Sequence, residues 1–295
     1  MRRIGIFYFS GTGMTGYVVD KLKLALEEQQ TQVDIFDIAK TAPADLSPDG
    51  YDALGIAYPV HAFNAPKIVI DFVRGLPHVS AMDTFIISTA AEHSRLNFAS
   101  SGLLSGILRK KGFAVFCDRT FIMPCNFIVK FGAGKVTELL DQVKDEMPQA
   151  ARDIVNRTSM RQPAGFVANF AALAGRLEWL GLKCAKIFYA TKECIMCGRC
   201  AENCPNHNIS GVKRRVCLHC AVCMESCPHR DAPPAQTRVQ FLRQCGLCMR
   251  CLYICPNRAI KVRRPYRFIA FDSWYENEEL LQCARYISTT APPQK

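Results

Sequence analysis

Cysteines are concentrated in one region of this chain and repeat a single spacing there. Of 16 cysteines in 295 residues, twelve lie between Cys194 and Cys255. They form three copies of the pattern Cys-x2-Cys-x2-Cys-x3-Cys-Pro. The first copy contains Cys194, Cys197, Cys200 and Cys204, the second Cys217, Cys220, Cys223 and Cys227, and the third Cys245, Cys248, Cys251 and Cys255.

This spacing is typical of a ligand run for [4Fe-4S] clusters, in which three thiolates hold one cube and the fourth reaches a neighbouring cluster. Zinc sites instead use pairs of ligands separated by a longer loop. Disulfide frameworks belong mainly to small secreted chains, whereas this chain is 49% hydrophobic and has material for a core of its own. The runs therefore predict iron–sulfur metal sites.

The sharing of the twelve ligands is left open by the sequence, because runs exchange ligands in pairs and three is an odd number. The first and second runs begin 23 residues apart, and the second and third begin 28 residues apart. The larger separation is closer to that of the two runs in a two-cluster ferredoxin. However, segments 206–209 and 257–260 after the first and third runs are similar, while two prolines follow the second at 233–234. We expect two clusters, and a third if the middle run is an insertion.

A second candidate site lies in the glycine-rich segment 10–16, which follows an apolar run and precedes a helical pattern. A strand–loop–helix unit points backbone N–H groups and the positive end of the helix at an anion, so a phosphate is expected here. The predicted binding residues are Ser10, Gly11, Thr12, Gly13, Met14 and Thr15. The hydroxyl groups in this segment suit the terminal phosphate of flavin mononucleotide (FMN).

A nicotinamide dinucleotide is the alternative ligand of the same loop. Glycines 11, 13 and 16 match the dinucleotide fingerprint, and Asp37 follows at the end of the second predicted strand, where a carboxylate would hold a ribose. FMN is the preferred prediction because a bridging pyrophosphate has less use for the hydroxyl groups.

Two further loops are predicted to flank a flavin ring. The residues concerned are Tyr58, Pro59, His61, Phe63 and Asn64 in one loop, and Thr89, Ala90 and Ala91 in the other. Tyr58 or Phe63 is expected to stack on the ring. His61 and His93 are candidate catalytic acids, because histidine transfers protons near neutral pH.

The elements that position these loops alternate between short apolar runs and helical patterns, which is typical of a parallel sheet covered on both faces. Strands are predicted at 4–9, 33–38, 53–58, 84–89 and 114–121, with helices at 15–28, 66–74, 98–111 and 136–156. Gly75 and Gly112 are expected to stop two of the helices. We predict an α/β doubly wound sheet, followed by a small α+β iron–sulfur domain. The Ser-x-Thr-Gly-x-Thr pattern at 10–15 resembles the phosphate loop of flavodoxins, and this resemblance implies the strand order 2-1-3-4-5.

The predicted domains are 1–160 for the sheet, 161–190 for a linker helix, 191–265 for the iron–sulfur domain, and 266–295 for a final helix and tail. The linker helix is expected to lie between the domains, with an interfacial membrane helix as the alternative. Membrane association is not favoured, because the longest uncharged apolar stretch, 162–175, is shorter than a membrane-spanning helix requires. A cytoplasmic location is expected.

The formal net charge of +11 is concentrated in the cysteine-rich part of the chain. Nucleic acid is not expected as a partner, since iron–sulfur clusters held by thiolates offset part of this charge. Several arginines could instead attract an acidic electron donor such as a ferredoxin. They are Arg214, Arg215, Arg243, Arg250, Arg263, Arg264 and Arg267.

Several segments together resemble a known family, the flavodoxin–ferredoxin fusion proteins, also called EFR-type ferredoxins. The resemblance is carried by Tyr-Phe-Ser-Gly-Thr-Gly at 8–13, Ala-Phe-Asn-Ala-Pro at 62–66, Met-Pro-Cys-Asn at 123–126, and Lys-Ile-Phe at 186–188 leading into the first run. It implies a flavodoxin-like domain that binds FMN and a bacterial-ferredoxin-like domain with two [4Fe-4S] clusters. The presence of three cysteine runs departs from that pattern and leaves the number of clusters open.

Clusters carry single electrons and flavin carries one or two, which predicts an oxidoreductase that moves electrons between clusters and FMN. The acceptor is expected to be a small molecule or a protein. A non-catalytic electron carrier or redox-responsive module is the competing hypothesis, with a nicotinamide-dependent oxidoreductase less favoured.

Overall fold

The computed structural model describes residues 2–43, 48–125, 130–160, 165–176, 187–210 and 239–263. The middle cysteine run and the predicted final helix at 276–286 lie outside these residues. The description below concerns the described ranges alone.

The first domain is a five-stranded parallel sheet of order β2-β1-β3-β4-β5, so the predicted order is confirmed. Its strands are β1 (Arg2–Tyr8), β2 (Thr31–Asp37), β3 (Ala53–Pro59), β4 (Met82–Ala90) and β5 (Phe113–Ile122). Its helices are α1 (Met14–Glu28), α2 (Lys67–Gly75), α3 (Gly102–Lys110) and α4 (Ala133–Val155).

The sheet is buried on both faces because its strands are apolar on both faces. Along β1, Ile6 and Tyr8 belong to the core formed with α1 and α4. Phe7 and Phe9, the alternate residues, belong to the core formed with α2 and α3. Parallel strands of this kind bring the loops at their carboxyl ends to one edge, where the predicted phosphate and ring loops lie.

Two details of the predicted helices are corrected by the structure. The helix predicted at 98–111 is divided into a 3-10 turn, Arg95–Ala99, and the shorter helix α3. Gly112 has a φ of 92°, as a glycine stop requires, whereas Gly75 is still helical and has no positive φ. Gly75 is instead packed so closely against Pro43 that a β-carbon there would lie 2.9 Å from its ring.

Helix α5 (Phe166–Gly175) lies in the predicted linker, 161–190, but the last residues of that range, Phe188–Ala190, form a strand that belongs to the iron–sulfur domain. Its small residues Ala168 and Ala172 pack with Ala99 of the first domain. Its large apolar residues Phe166 and Phe170 are 86% and 63% exposed. No helix in the described ranges is both long and apolar enough to cross a membrane.

In its described ranges, 187–210 and 239–263, the iron–sulfur domain contains two short antiparallel pairs of strands and two single-turn helices. Strand β6 (Phe188–Ala190) pairs with β9 (Ile260–Val262), and β7 (Ile209–Ser210) pairs with β8 (Gln240–Phe241). The helices are α6 (Arg199–Glu202) and α7 (Arg250–Tyr253).

These elements form two halves that repeat at an offset of 51 residues. The backbone repeats as well, because residues with positive φ occur at 196, 198 and 207 and again at 247, 249 and 258. Gly198 directly precedes α6 in the first half, and Met249 directly precedes α7 at the equivalent position in the second half. The first and third cysteine runs are therefore the two related halves of one domain.

Candidate functional site

Four cysteines from two different runs surround one cavity in the second half of the iron–sulfur domain. Cys204, Cys245, Cys248 and Cys251 line it, and it contains about 350 Å³ of space, including some open to solvent. We name these four residues the inner set.

Four other cysteines surround a second cavity of similar size, about 360 Å³. They are Cys194, Cys197, Cys200 and Cys255, named here the outer set. Within the part of the chain that is described, no three His, Cys, Asp or Glu side chains are grouped to hold a single metal ion. The four thiols of each set line the walls of a cavity, which is the arrangement that a cube of iron and sulfur requires.

The fourth cysteine of each run joins the set of the other run, which is the exchange that the spacing predicts. Cys204 of the first run lines the inner cavity, and Cys255 of the third run lines the outer cavity. The first run is therefore paired with the third, not the second with the third. The ligands predicted in the second run, Cys217, Cys220, Cys223 and Cys227, lie outside the described residues.

Backbone N–H groups point at the exchanged sulfurs in both halves. Asn208 N–H donates to Cys204 Sγ at 3.2 Å, and Ala259 N–H donates to Cys255 Sγ at 3.2 Å. Leu247 N–H also donates to Cys245 Sγ at 3.4 Å. Such donors favour a negatively charged sulfur and raise the potential of a cluster bound to it.

Burial and the proximity of the other thiols raise the pKa of each central cysteine. The pKa of Cys200 is raised to about 12, first by burial and then by Cys194, Cys197 and Cys255. The pKa of Cys251 is raised well above its usual range, by burial and then by Cys248, Cys245 and Cys204. Both thiols must lose a proton to become ligands, so metal binding here is coupled to proton release.

The phosphate loop lies between β1 and α1, as predicted. Gly13 N–H donates to the Ser10 hydroxyl at 3.1 Å, and Gly13 has a φ of 96° at the start of α1. The helix has no side-chain cap there and no acidic residue in its first turn. Its positive end suits a phosphate. Thr15 Oγ1 lies 2.8 Å from Thr89 Oγ1, so this loop is joined to the end of β4.

Residues 10–15 thus fit the phosphate of FMN, with backbone N–H groups at the start of α1 as the donors. Met14 is 6% exposed and its side chain belongs to the core, so only its backbone is available to a ligand. The Ser10 hydroxyl already accepts from Gly13 and contributes to the shape of the loop.

The predicted ring loop after β3 is a tight turn at residues 61–64. His61 and Asn64 exchange backbone hydrogen bonds of 2.9 and 2.8 Å, while Ala62 and Phe63 have φ values of 43° and 63°. Positive φ at two successive non-glycine residues stores strain, which is often found where a backbone shape serves a ligand.

Helix α5 packs directly against this turn. The Asn64 side-chain amide donates to the carbonyls of Ala62 at 3.0 Å and Ala172 at 2.6 Å. Gly175 lies so close to the Ala62 carbonyl that a β-carbon there would overlap it. The amide of Asn64, predicted to bind cofactor, therefore connects the turn to the linker helix.

Tyr58 does not take the role predicted for it. Its side chain is 0% exposed and lies within the core formed with α2 and α3, so its ring cannot stack on a flavin at the sheet edge. Phe63 is partly exposed within the turn, and its stacking on a flavin ring stays a prediction. Among the other predicted residues, Pro59 ends β3, Ala90 ends β4 with 7% exposure, and Ala91 follows it.

The two candidate catalytic histidines differ in their surroundings. His61 is half-buried, and removal of water lowers its pKa to about 4. It is therefore neutral near pH 7, and its role as a proton donor to flavin or substrate stays a prediction. His93 lies exposed in the loop after β4.

The inner set lies against the phosphate loop. The Cys248 carbonyl is so close to Gly11 that a β-carbon on Gly11 would overlap it. Cys248 also packs against the apolar core formed with α2 and α3. One cysteine of the inner set is thus in direct contact with the loop that fits the flavin phosphate.

Arg250 holds this contact together. Its guanidinium donates to the Ser10 carbonyl at 3.2 Å from Nε and 2.7 Å from Nη2. It also pairs with Asp37, with Nη1 to Oδ2 at 3.1 Å and both side chains 1% exposed. The guanidinium lies 5.4 Å from the centre of the Phe9 ring. A buried, paired arginine therefore joins the iron–sulfur domain to the sheet.

This pair corrects two sequence-based expectations. Arg250 was expected on the surface, attracting an acidic partner, but it is buried against Asp37. Asp37, the residue suited to a nicotinamide ribose, uses its carboxylate on Arg250 and on the N–H of Ala39 at 3.0 Å. Nothing local in the sequence indicates this pairing, because the two residues are 213 positions apart.

The fold and the thiol sets together define a protein that joins a doubly wound α/β domain to an iron–sulfur domain. Family models agree with both halves of this description. A flavodoxin domain model matches residues 5–95, and two 4Fe-4S binding domain models match residues 188–210 and 217–232.

These matches give the chain a flavodoxin-type domain followed by 4Fe-4S binding domains, and they support an electron-transfer flavo-iron–sulfur protein. Its flavodoxin domain implies FMN, and its 4Fe-4S domains imply [4Fe-4S] clusters. The residues present fit both groups.

Solved structures with similarity to the chain include several flavodoxins. Two-electron reduced Megasphaera elsdenii flavodoxin is 18% identical over 48% of this chain and 98% of its own, with a TM-score of 0.36. Oxidised Flavodoxin 2 from Bacillus cereus is 14% identical over 52% of this chain and 99% of its own, with a TM-score of 0.38. Rubredoxin:oxygen oxidoreductase from Desulfovibrio gigas is 13% identical over 53% and 37%, with a TM-score of 0.37.

No curated protein matches the chain.

Proposed function

We propose that this protein is an oxidoreductase that passes electrons between its iron–sulfur clusters and FMN and delivers them to a small-molecule or protein acceptor. Clusters supply one-electron steps and FMN supplies one- and two-electron steps when bound. A chain that holds both can collect single electrons and release them in pairs.

The contact between the inner set and the phosphate loop is the observation that supports this proposal most directly. The Cys248 carbonyl touches Gly11, and Arg250 binds the Ser10 carbonyl from the same iron–sulfur domain. Because the inner set is built around Cys248, a cluster held there adjoins the loop suited to the flavin phosphate. The buried pair with Asp37 keeps the two domains in this arrangement.

We further propose three clusters. Two would be held by the inner and outer sets, and the third would take ligands from the second run, whose cysteines the described sets leave unused. A reducing compartment such as the cytoplasm suits twelve thiolate ligands.

Anoxic reconstitution with iron, sulfide and FMN tests the whole proposal. Iron and sulfide analysis counts the clusters, and one-electron reduction by reduced methyl viologen should bleach both cluster and flavin absorbance. A Cys248→Ala variant should retain the outer cluster while slowing flavin reduction at least tenfold. Unchanged flavin reduction in this variant would remove the inner cluster from the electron path.

A non-catalytic electron carrier is a second candidate, favoured by one contact. Helix α5 lies against the turn at 61–64 through the Asn64 amide and the Ala172 carbonyl, which restricts approach to the predicted ring loop. The reduced holoprotein distinguishes the two functions. Reoxidation by candidate small molecules without a second protein supports the enzyme, and failure across a broad panel supports the carrier.

A further inference from the structure

The pseudo-two-fold symmetry of the iron–sulfur domain produces two copies of its docking segment. In the second half, residues 246–250 contact the sheet domain through the Cys248 carbonyl and the Arg250 guanidinium. At an offset of 51 residues, the first half presents residues 195–199, with Cys197 and Arg199 in the equivalent positions. We name residues 195–199 the free docking segment.

The free docking segment is exposed where its copy is buried. Arg199 is exposed, whereas Arg250 is 1% exposed. Ile195 is 54% exposed and also lines the outer cavity, so an apolar side chain projects to the surface beside the outer set. A cation, an apolar side chain and a cluster site thus lie within five residues of one exposed segment.

The known partner of the buried copy indicates which chemistry the free copy would bind. Arg250 binds one carboxylate, Asp37, and one backbone carbonyl. Arginine forks favour such planar, bidentate contacts. By the same geometry, Arg199 is suited to a carboxylate supplied by another molecule.

The charge of the domain points in the same direction. Its described ranges, 187–210 and 239–263, contain seven Lys and Arg residues against two acidic residues, Glu193 and Glu202. An acidic surface would be attracted to this domain and oriented by it. A second copy of this chain is disfavoured as the occupant, because each copy has a formal charge of +11.

We propose that the free docking segment binds an acidic redox protein and that the outer set is where electrons are exchanged with it. This inference rests on the proposed function and adds the partner class and its contact site. In the forward step, one electron leaves a reduced iron–sulfur centre of the partner and enters the outer cluster. The partner is oxidised by one electron, and no covalent bond forms or breaks.

Binding of an oxidised, acidic two-cluster bacterial ferredoxin to the holoprotein tests this proposal without any electron flow. Titration calorimetry at low and moderate salt should give an affinity that falls as salt rises. Arg199→Glu should weaken binding at least tenfold. Ile195→Ser, which leaves the charge unchanged, should weaken it about threefold and guards against a purely electrostatic effect.

Arg243→Glu is the matched control. Arg243 is one of the arginines expected from the sequence to attract an acidic donor and is exposed in the same domain, but it lies outside the free docking segment, so its substitution makes the same charge change away from the proposed contact. It should change the affinity less than threefold. Equal weakening by Arg199→Glu and Arg243→Glu would overturn the proposal, since attraction would then depend on net charge alone. Absence of binding to the unmodified holoprotein would overturn it as well.

The two proposals can fail separately. Flavin reduction driven by methyl viologen tests the proposed function with no protein partner present. Binding that depends on Arg199 supports the docking proposal even where that flavin reduction fails. Flavin reduction without binding leaves the electron path intact and rejects the docking surface.

Discussion

The residues with the most specific roles are Cys204 and Cys255, because each belongs to one run in sequence and to the other run's site in space. Their sulfurs accept matching hydrogen bonds of 3.2 Å from Asn208 and Ala259. This symmetry means that neither cluster site is complete without both halves of the domain. The halves must therefore fold together around the metal.

Substitution of either cysteine should remove the cluster that the other run holds, not the cluster held by its own run. Cys255→Ala should resemble Cys194→Ala and remove the outer cluster, and Cys204→Ala should resemble Cys245→Ala and remove the inner one. Iron content should fall by about four atoms per chain in each case, for one lost cube. Paramagnetic resonance of the reduced proteins assigns the lost signal, and a Cys255→Ala spectrum that matches Cys245→Ala would contradict the pairing.

His61 should make stability depend on pH in a defined direction. Its pKa of about 4 in the folded protein lies below the ordinary value of 6.5, because partial burial disfavours the charged form. The unfolded chain therefore binds the proton more readily, and stability is lost as pH falls below about 6.5. The free energy of unfolding should drop by about 1 kcal/mol between pH 7.5 and 5.5 from this group.

A His61→Gln variant provides the comparison for this effect. Urea unfolding of both proteins without oxygen, at several pH values, should give curves that diverge by that amount toward pH 5.5. Parallel curves for the two proteins would show that His61 does not contribute.

Among the elements, the loop between β1 and α1 serves two purposes. Its backbone N–H groups suit a phosphate, and Gly11 on the same loop receives the Cys248 carbonyl. Gly11 has no positive φ, so its glycine is required by the close approach of another backbone and not by its own conformation.

A Gly11→Ala substitution should therefore separate the domains locally and destabilise the protein. Overpacking of this kind costs about 1–3 kcal/mol. Gly106→Ala is the matched control, since Gly106 lies within α3 and a β-carbon there meets nothing within 4 Å. The control should be neutral or stabilising by up to about 1 kcal/mol. Denaturant unfolding measures both, and equal stabilities would exclude the contact.

At the scale of the whole molecule, one buried ion pair determines how the two domains meet. Arg250 and Asp37 are each 1% exposed, so neither charge is solvated if its partner is removed. Buried pairs of this type contribute little net stability, but breaking one is costly. Their role here is to specify the arrangement that brings the inner set to the phosphate loop.

Arg250→Met should destabilise the protein by about 3–5 kcal/mol, because Asp37 is left buried and unpaired. The double variant Arg250→Met with Asp37→Leu should lose less than the sum of the two single variants. Cluster-to-flavin electron transfer should slow at least tenfold in the single variant. Arg243→Met, at an exposed position, should change stability by less than about 0.5 kcal/mol. An additive double variant would show that the pair is not coupled.

The sequence alone determined the cofactor chemistry and the sheet. Thiolate spacing follows from the geometry of a cube, and a parallel sheet covered on both faces follows from short apolar runs that alternate with helical patterns, so both depend on local patterns. Similar segments after the first and third runs also favoured the pairing that the inner and outer sets adopt. These features need only neighbouring residues to be recognised.

Only the tertiary structure decided how the domains meet. Arg250 has the same local surroundings as Arg199, since each begins a single-turn helix after a residue with positive φ, yet one is buried and the other exposed. Tyr58, at the end of a predicted strand, and Asn64, in the loop that follows, were likewise expected at the flavin, but Tyr58 is buried in the core and Asn64 binds α5. Such differences depend on contacts between residues far apart in the chain, where side-chain packing and buried charge pairing, not local spacing, determine the outcome.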